Sequence, residues 1–147
     1  MTTSAFEYHA PTTVADALSL LDRHGDSAKV LAGGHSLIPL MKLRLARPEV
    51  IIDLGKISAL SYIRETDSGL AIGAMTTYVE LENSALVKDK APMLAEAAGQ
   101  VADPLVRNRG TLGGNLSHAD PASDLPAVVL ALGAELSVQS NSFHRTI

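Results

Sequence analysis

The stretch Lys29-Val30-Leu31-Ala32-Gly33-Gly34-His35-Ser36 decides how this chain reads. A short apolar run breaks off at two glycines, and a serine suited to starting a helix follows. The pattern predicts a buried strand over residues 29–32, a tight turn, and a helix over residues 36–45. Pro39 fits the first turn of that helix, and Lys42 and Arg44 suit its C-terminal end. Upstream, Val14, Ala17, Leu18 and Leu21 share one helical face. Residues 13–24 therefore read as a helix capped by Thr13 and stopped by Gly25. Downstream, Val50-Ile51-Ile52-Asp53-Leu54 reads as the next strand, closed by Gly55. Strand, loop, helix, strand is the grammar of a small α/β lobe.

Past Gly55 the pattern changes. Residues 60–64 and 70–75 read as a hairpin around Thr66-Asp67-Ser68-Gly69. Thr77 with Glu80 forms a capping box that opens a short helix through Leu81. Pro92 starts another helix, with Met93, Leu94, Ala97, Ala98 and Val101 as its buried side. Residues 103–123 show little periodicity and are rich in Gly, Asn, Asp, Arg and Pro. An irregular stretch of about 20 residues inside a compact domain is usually functional. Asp124 is placed to cap a last apolar helix over residues 125–132, before a strand over residues 134–139.

Composition narrows the class. The chain has 147 residues, 46% of them hydrophobic, with 12 basic and 16 acidic side chains and a net charge of −4. That length suits one domain or two small lobes. The mild acidity argues against a nucleic-acid binder, which would show a basic face. The absence of cysteine excludes disulfides, thiolate zinc sites and any iron–sulfur cluster ligated by this chain. No apolar stretch approaches the roughly 18 residues of a membrane span. Residues 1–11 lack the basic and apolar regions of a signal peptide, so a soluble, cytoplasmic protein is expected.

A second glycine pair stands in Thr111-Leu112-Gly113-Gly114-Asn115. Paired glycines let main-chain N–H groups approach a ligand with no Cβ in the way, and consecutive N–H groups form a nest suited to a phosphate. Ser36, Thr111 and Asn115 add polar side chains beside the two pairs. Taken singly, each pair also has a plain structural reading, a strand-to-helix turn and a flexible loop. Neither is a P-loop or a G-x-G-x-x-G fingerprint. Finding both in one small chain points to a diphosphate cradle.

Other residues stay open between alternative roles. His35 either offers its ring N–H to a ligand or fills a turn. Arg107 and Arg109 either neutralise a diphosphate, dock a partner or carry ordinary surface charge. Tyr8, Tyr62 and Tyr78 either stack on a base or pack at the core. His118 with Asp120, and His9 with His24, lack a convincingly spaced third ligand, so no metal site and no catalytic residue is assigned.

Several ordered motifs carry a family resemblance. They are Phe6-Glu7-Tyr8-His9 with Pro11; Leu31-Ala32-Gly33-Gly34-His35-Ser36-Leu37-Ile38-Pro39; Ile72-Gly73-Ala74-Met75-Thr76-Thr77; Arg109-Gly110-Thr111-Leu112-Gly113-Gly114-Asn115; and Asp120-Pro121-Ala122-Ser123-Asp124-Leu125-Pro126-Ala127. Together they resemble the FAD-binding medium subunit of the molybdenum hydroxylases, the family of aerobic carbon monoxide dehydrogenase and xanthine dehydrogenase. The resemblance implies an α+β, two-lobed FAD-binding domain of the vanillyl-alcohol-oxidase type, with lobes over residues 1–55 and 56–147. It implies FAD contacts from Ala32, Gly33, Gly34, His35 and Ser36 and from Thr111, Leu112, Gly113, Gly114 and Asn115. Backbone contacts near Val101 and Ala102 and a flavin-side contact from Asp124 are implied as well.

The same resemblance implies a large partner subunit with a molybdenum cofactor and a small one with two two-iron clusters. Electrons would pass from those clusters through FAD to an external acceptor. The family's subunit is longer, so the second lobe is expected to be incomplete and truncated at its C-terminal side. Ser140-Asn141-Ser142-Phe143 lacks the glycine turn expected there. Two other functions stay open: a stand-alone flavin oxidase or reductase of the same superfamily, and a non-catalytic remnant or assembly module.

Overall fold

Strands β1 (Glu7–His9), β2 (Ala28–Leu31) and β3 (Val50–Asp53) form a parallel sheet in the order β1-β3-β2. The computed structural model describes residues 2–67 and 69–147. β3 is central, and Val50, Ile51 and Ile52 are all buried. A strand covered on both faces has no reason to alternate apolar with polar residues. Helix α1 (Val14–His24) starts at Thr13, whose hydroxyl accepts the Asp16 N–H at 3.1 Å, and ends at Gly25 with φ of 50°. Its Ala17 joins Ala28, Val50, Ile52 and Ile57 in a first core. β1 has no signature in the apolar pattern because it is three residues long and largely exposed; its pairing with β3 supplies the order.

Helix α2 (Leu37–Lys42) stops before the expected Leu45. Arg44 turns left-handed, with φ of 62°, and the N–H groups of Leu45 and Ala46 fold back onto the Leu40 carbonyl at 2.9 and 3.2 Å. That is a helix-ending geometry which a pattern of apolar residues does not encode. Ser36 precedes α2 but makes no side-chain capping bond.

Strands β4 (Ile63–Thr66) and β5 (Gly69–Ile72) form the antiparallel hairpin, shorter than expected at both outer ends. Ser68 of its turn lies outside the described residues, as does Met1. Three helices follow: α3 (Tyr78–Asn83), α4 (Ala85–Lys90) and α5 (Pro92–Gln100). The capping box at α3 is complete, with the Thr77 N–H on Glu80 Oε2 at 2.7 Å and the Glu80 N–H on Thr77 Oγ1 at 3.4 Å. Replacing Thr77 by Ala is expected to cost about 0.5–2 kcal/mol, read as a lower denaturant midpoint at unchanged slope. Ser84 caps α4, a helix the apolar pattern does not announce. α5 buries Leu94, Ala95 and Ala98, while Met93, expected inside, is 49% exposed. Its buried face is rotated from the expected one, so Ala95 replaces Met93.

Residues 103–123, expected to be irregular, contain α6 (Pro104–Arg107) and α7 (Leu112–His118). Asp103 and Thr111 cap them through bonds to Val106 and Gly114. Caps and glycines dominate these segments, so they carry little apolar period. Helix α8 (Asp124–Ala131) has Ser123 rather than Asp124 at its cap position, and Asp124 sits in the first turn. Strands β6 (Ser137–Gln139) and β7 (His144–Thr146) close the chain as an antiparallel pair. Tyr78, Leu81, Val87, Leu94, Ala98, Leu112 and Leu125 form a second core. Among the described residues, no helix is long and apolar enough to cross a membrane.

Candidate functional site

β2 delivers the chain to the carboxyl end of the parallel sheet, where open α/β sheets place their ligands. The turn after it is built around Gly34, whose φ of 82° disfavours any side chain. The N–H groups of Gly33, Gly34, His35 and Ser36 have no backbone or side-chain acceptor among the described residues. The N–H of Leu37 is a free donor by virtue of opening α2. A run of consecutive bare donors is the backbone arrangement that accepts an anion.

The second glycine segment is built differently. It is not a flexible loop but the first turn of α7. The Leu112 and Gly113 N–H groups go to the carbonyls of Thr76 (3.0 Å) and Ala74 (2.9 Å). The Gly114 N–H goes to Thr111 Oγ1 at 3.2 Å, and that of Asn115 to the Thr111 carbonyl at 3.0 Å. These donors are spent on structure, so the second pair is not a nest of free N–H groups. The Asn115 amide is likewise engaged, donating to Ser123 Oγ at 2.7 Å and accepting from it at 3.0 Å.

The two segments meet. A Cβ on Gly33 would lie 2.1 Å from the Arg109 carbonyl oxygen, and one on Gly114 would lie 3.3 Å from the Ala32 Cβ. Gly33 therefore rests on the Arg109–Gly110 backbone just ahead of α7, where only hydrogen fits between, while Gly114 faces the Ala32 side chain. A cleft of about 460 Å³ opens there, within the range of small-molecule sites. Ala32, Gly33, Gly34, His35 and Ser36 line one side, and Thr111, Gly113, Gly114 and Asn115 line the other. Leu112 points into the second core instead, and Val101, Ala102 and Asp124 lie outside this lining.

Arg107 is neither free charge nor a cleft residue. Its Nη1 donates to the Val101 and Ala102 carbonyls at 3.1 and 3.2 Å, and its Nε lies 3.4 Å from Glu82 Oε2. It straps down Ala102, which holds a left-handed φ of 45°. The sequence reading missed Ala74, Met75 and Ser117 as lining residues and left the roles of Tyr78 and His118 open. No local sequence signal marks them: the 74–78 segment reaches the cleft through long-range ties, Thr77 bridging to Thr111 and the Tyr78 N–H donating to the Gly110 carbonyl at 3.0 Å.

Tyr78 packs in the second core and reaches the cleft wall. Burial pushes its phenol above the ordinary tyrosine value, and the Asn115 amide acts in the opposite direction. A raised phenol makes the folded state the tighter proton binder, so this contribution to stability is complete below about pH 10. It is lost as the pH climbs through the folded-state value. Tyr8, whose hydroxyl donates to Asp53 at 2.6 Å, is raised as well, so a tyrosinate absorbance titration should show a late component that Tyr78→Phe reduces, with less alkaline destabilisation in the variant.

Comparison with known proteins gives the family. Residues 4–147 match the family described as the FAD binding domain in molybdopterin dehydrogenase. The carbon monoxide dehydrogenase medium chain of Hydrogenophaga pseudoflava is 49% identical over 142 residues, 97% of this chain and 50% of that protein. The 6-hydroxypseudooxynicotine dehydrogenase complex subunit alpha of Paenarthrobacter nicotinovorans is 44% identical over 143 residues, 97% of this chain and 48% of that one. A solved carbon monoxide dehydrogenase from H. pseudoflava, which lacks the Mo-pyranopterin moiety of its molybdenum cofactor, shares the fold with a TM-score of 0.98 at 49% identity. That match covers 100% of this chain and 51% of the other. The chain spans about half the length of the curated relatives it matches. With nearly every residue matched and both glycine segments facing one cleft, the chain belongs to the family of FAD-binding domains of molybdopterin dehydrogenases.

Proposed function

We propose that this chain is the FAD-holding part of a medium subunit in a heteromeric molybdenum hydroxylase. Its task is to pass electrons from iron–sulfur clusters on a small partner subunit, through FAD, to an external acceptor. A large partner subunit carries the molybdenum cofactor and oxidises the substrate. The observation that carries the reading is the run of free N–H groups from Gly33 to Leu37, pressed against the start of α7 in a shared cleft. The medium-chain relatives support it, and so does the lack of cysteine, which leaves the clusters to other chains. A cytoplasmic setting goes with this reading, as does a division into lobes at residues 1–55 and 56–147. The two separate cores support the division, although the first also draws in Ile57 and Leu60.

The residues present fit the cofactor. The bare N–H groups of the first turn suit a diphosphate without any basic side chain, which is compatible with a mildly acidic chain. Ser36 and His35 are exposed beside them, with side chains available to the same oxygens. The roles of the second segment differ by residue. Thr111 and Gly114 set the wall against which the first turn rests, Gly113 fixes that wall to Ala74, and Leu112 anchors it in the core. Asn115 bonds Ser123 and so ties α7 to the start of α8; Asp124, in the first turn of α8 and outside the cleft lining, is assigned a flavin-side contact by the family resemblance alone. Val101 and Ala102 give their carbonyls to Arg107 and lie outside the cleft lining, so their contact with FAD likewise rests on the family resemblance. FAD, when bound, supplies the redox chemistry, while the protein supplies position and electrostatics.

The test is the visible spectrum of the complex purified through this chain. A flavin band in a one-to-one ratio to the chain, co-purifying with molybdenum and iron, is the expected result. A complex without flavin, or a flavin-loaded chain that never associates with molybdenum and iron, would overturn the proposal.

A further inference from the structure

We propose that Glu7, His9 and His24 form a binding site for one divalent transition-metal ion of the zinc class. Glu7 and His9 are two residues apart on β1, so the strand places them on one face. His24 is the last residue of α1, and the fold brings its ring to within 5.5 Å, centroid to centroid, of the His9 ring. One ligand atom from each of the three residues lies within 4.8 Å of the others. Nitrogen and oxygen ligands sit about 2.0–2.2 Å from zinc, so small side-chain rotations bring all three onto a single ion.

A second observation points to an ion. His9 Nε2 is inaccessible to solvent and has no hydrogen-bond partner among the described residues. Glu7 Oε1 approaches it to 2.8 Å, close enough for an ion pair, yet the two are not aligned as a hydrogen bond. A buried imidazole nitrogen left in this way is costly, and coordination would satisfy it. Two imidazoles and one carboxylate suit zinc and its neighbours in the first transition series, and they disfavour calcium and magnesium. Three protein ligands leave a coordination position for water. An open cleft beside His9, walled by Ala10, Asp16 and Arg23, gives an ion its approach from solvent. None of the three ligands lines the glycine cleft, so the site is separate from the flavin reading. Coordination would pin β1 to the end of α1.

The experiment uses the full chain, purified without a histidine tag and stripped with a chelator. ZnCl2 alone is titrated by calorimetry, and CoCl2 is followed by its visible absorption. One ion per chain is expected. Glu7→Gln and His24→Gln should each weaken binding at least tenfold, since even outer-shell changes at metal sites cost about 10–100-fold. His144→Gln, on the exposed β7 strand, should leave binding unchanged. Circular dichroism checks that each variant is folded. Absence of saturable binding, or equal binding by the wild type and both ligand variants, would overturn the proposal. An equal loss in His144→Gln would also overturn it.

Discussion

Gly33→Ala is expected to abolish FAD binding and to destabilise the chain by about 3 kcal/mol, the upper part of the range for overpacking a close-packed contact. The added methyl would sit 2.1 Å from the Arg109 carbonyl oxygen, 2.8 Å from its carbonyl carbon and 2.9 Å from the Gly110 Cα. All three are backbone atoms, so no rotamer change relieves the overlap. The first turn must lift away from the Arg109–Gly110 backbone that leads into α7, and the cleft between them opens with it. Gly25→Ala is the matched control. Its Cβ would meet nothing within 4 Å, so it bears only the backbone strain of φ 50° and ψ −131°, about 1–3 kcal/mol. FAD occupancy from the visible spectrum and the urea midpoint separate the two variants. Equal occupancy in both would show that contact between the turns does not shape the site.

The largest purely structural effect is expected at Leu81. It is fully buried, with Tyr78, Val87, Leu94, Ala98 and Leu125 in the same core, and α3 meets α5 there. Leu81→Ala removes apolar contacts and leaves a cavity among helices that cannot all close in. The expected cost is about 2–5 kcal/mol, measured as a fall in denaturant midpoint. Met93→Ala on α5 provides the contrast. At 49% exposure, Met93 has little burial to lose, and a cost within about 1 kcal/mol is expected. A comparable loss at both positions would contradict the packing of α5 described above.

The parts of this structure legible in the sequence are those in which local chemistry and tertiary context agree. Thr13 and Thr77 cap their helices as their spacing suggests, and the apolar Val50-Ile51-Ile52 run becomes the covered central strand. Meaning was lost where one element depends on a distant neighbour. β1 is ordered by β3, and α2 ends early because Arg44 turns left-handed. Residues 103–123 fold into α6 and α7 through caps rather than through an apolar face. At the site, the glycine pairs marked both walls of the cleft, but their likeness in sequence hid a difference in role. The first pair leaves donors bare, whereas the second uses its donors to fix α7 on Ala74 and Thr111. Paired glycines show only that a side chain is unwelcome. Whether backbone or ligand fills the space is decided by the partner segment, which no local window contains.

Amide hydrogen exchange, read by mass spectrometry with and without FAD, weighs the central claim most directly. The account expects slowed exchange across residues 33–37, whose N–H groups are bare in the protein alone, and a smaller change at residues 112–115, whose N–H groups are already hydrogen-bonded. Bound FAD with unchanged exchange at residues 33–37 would contradict it.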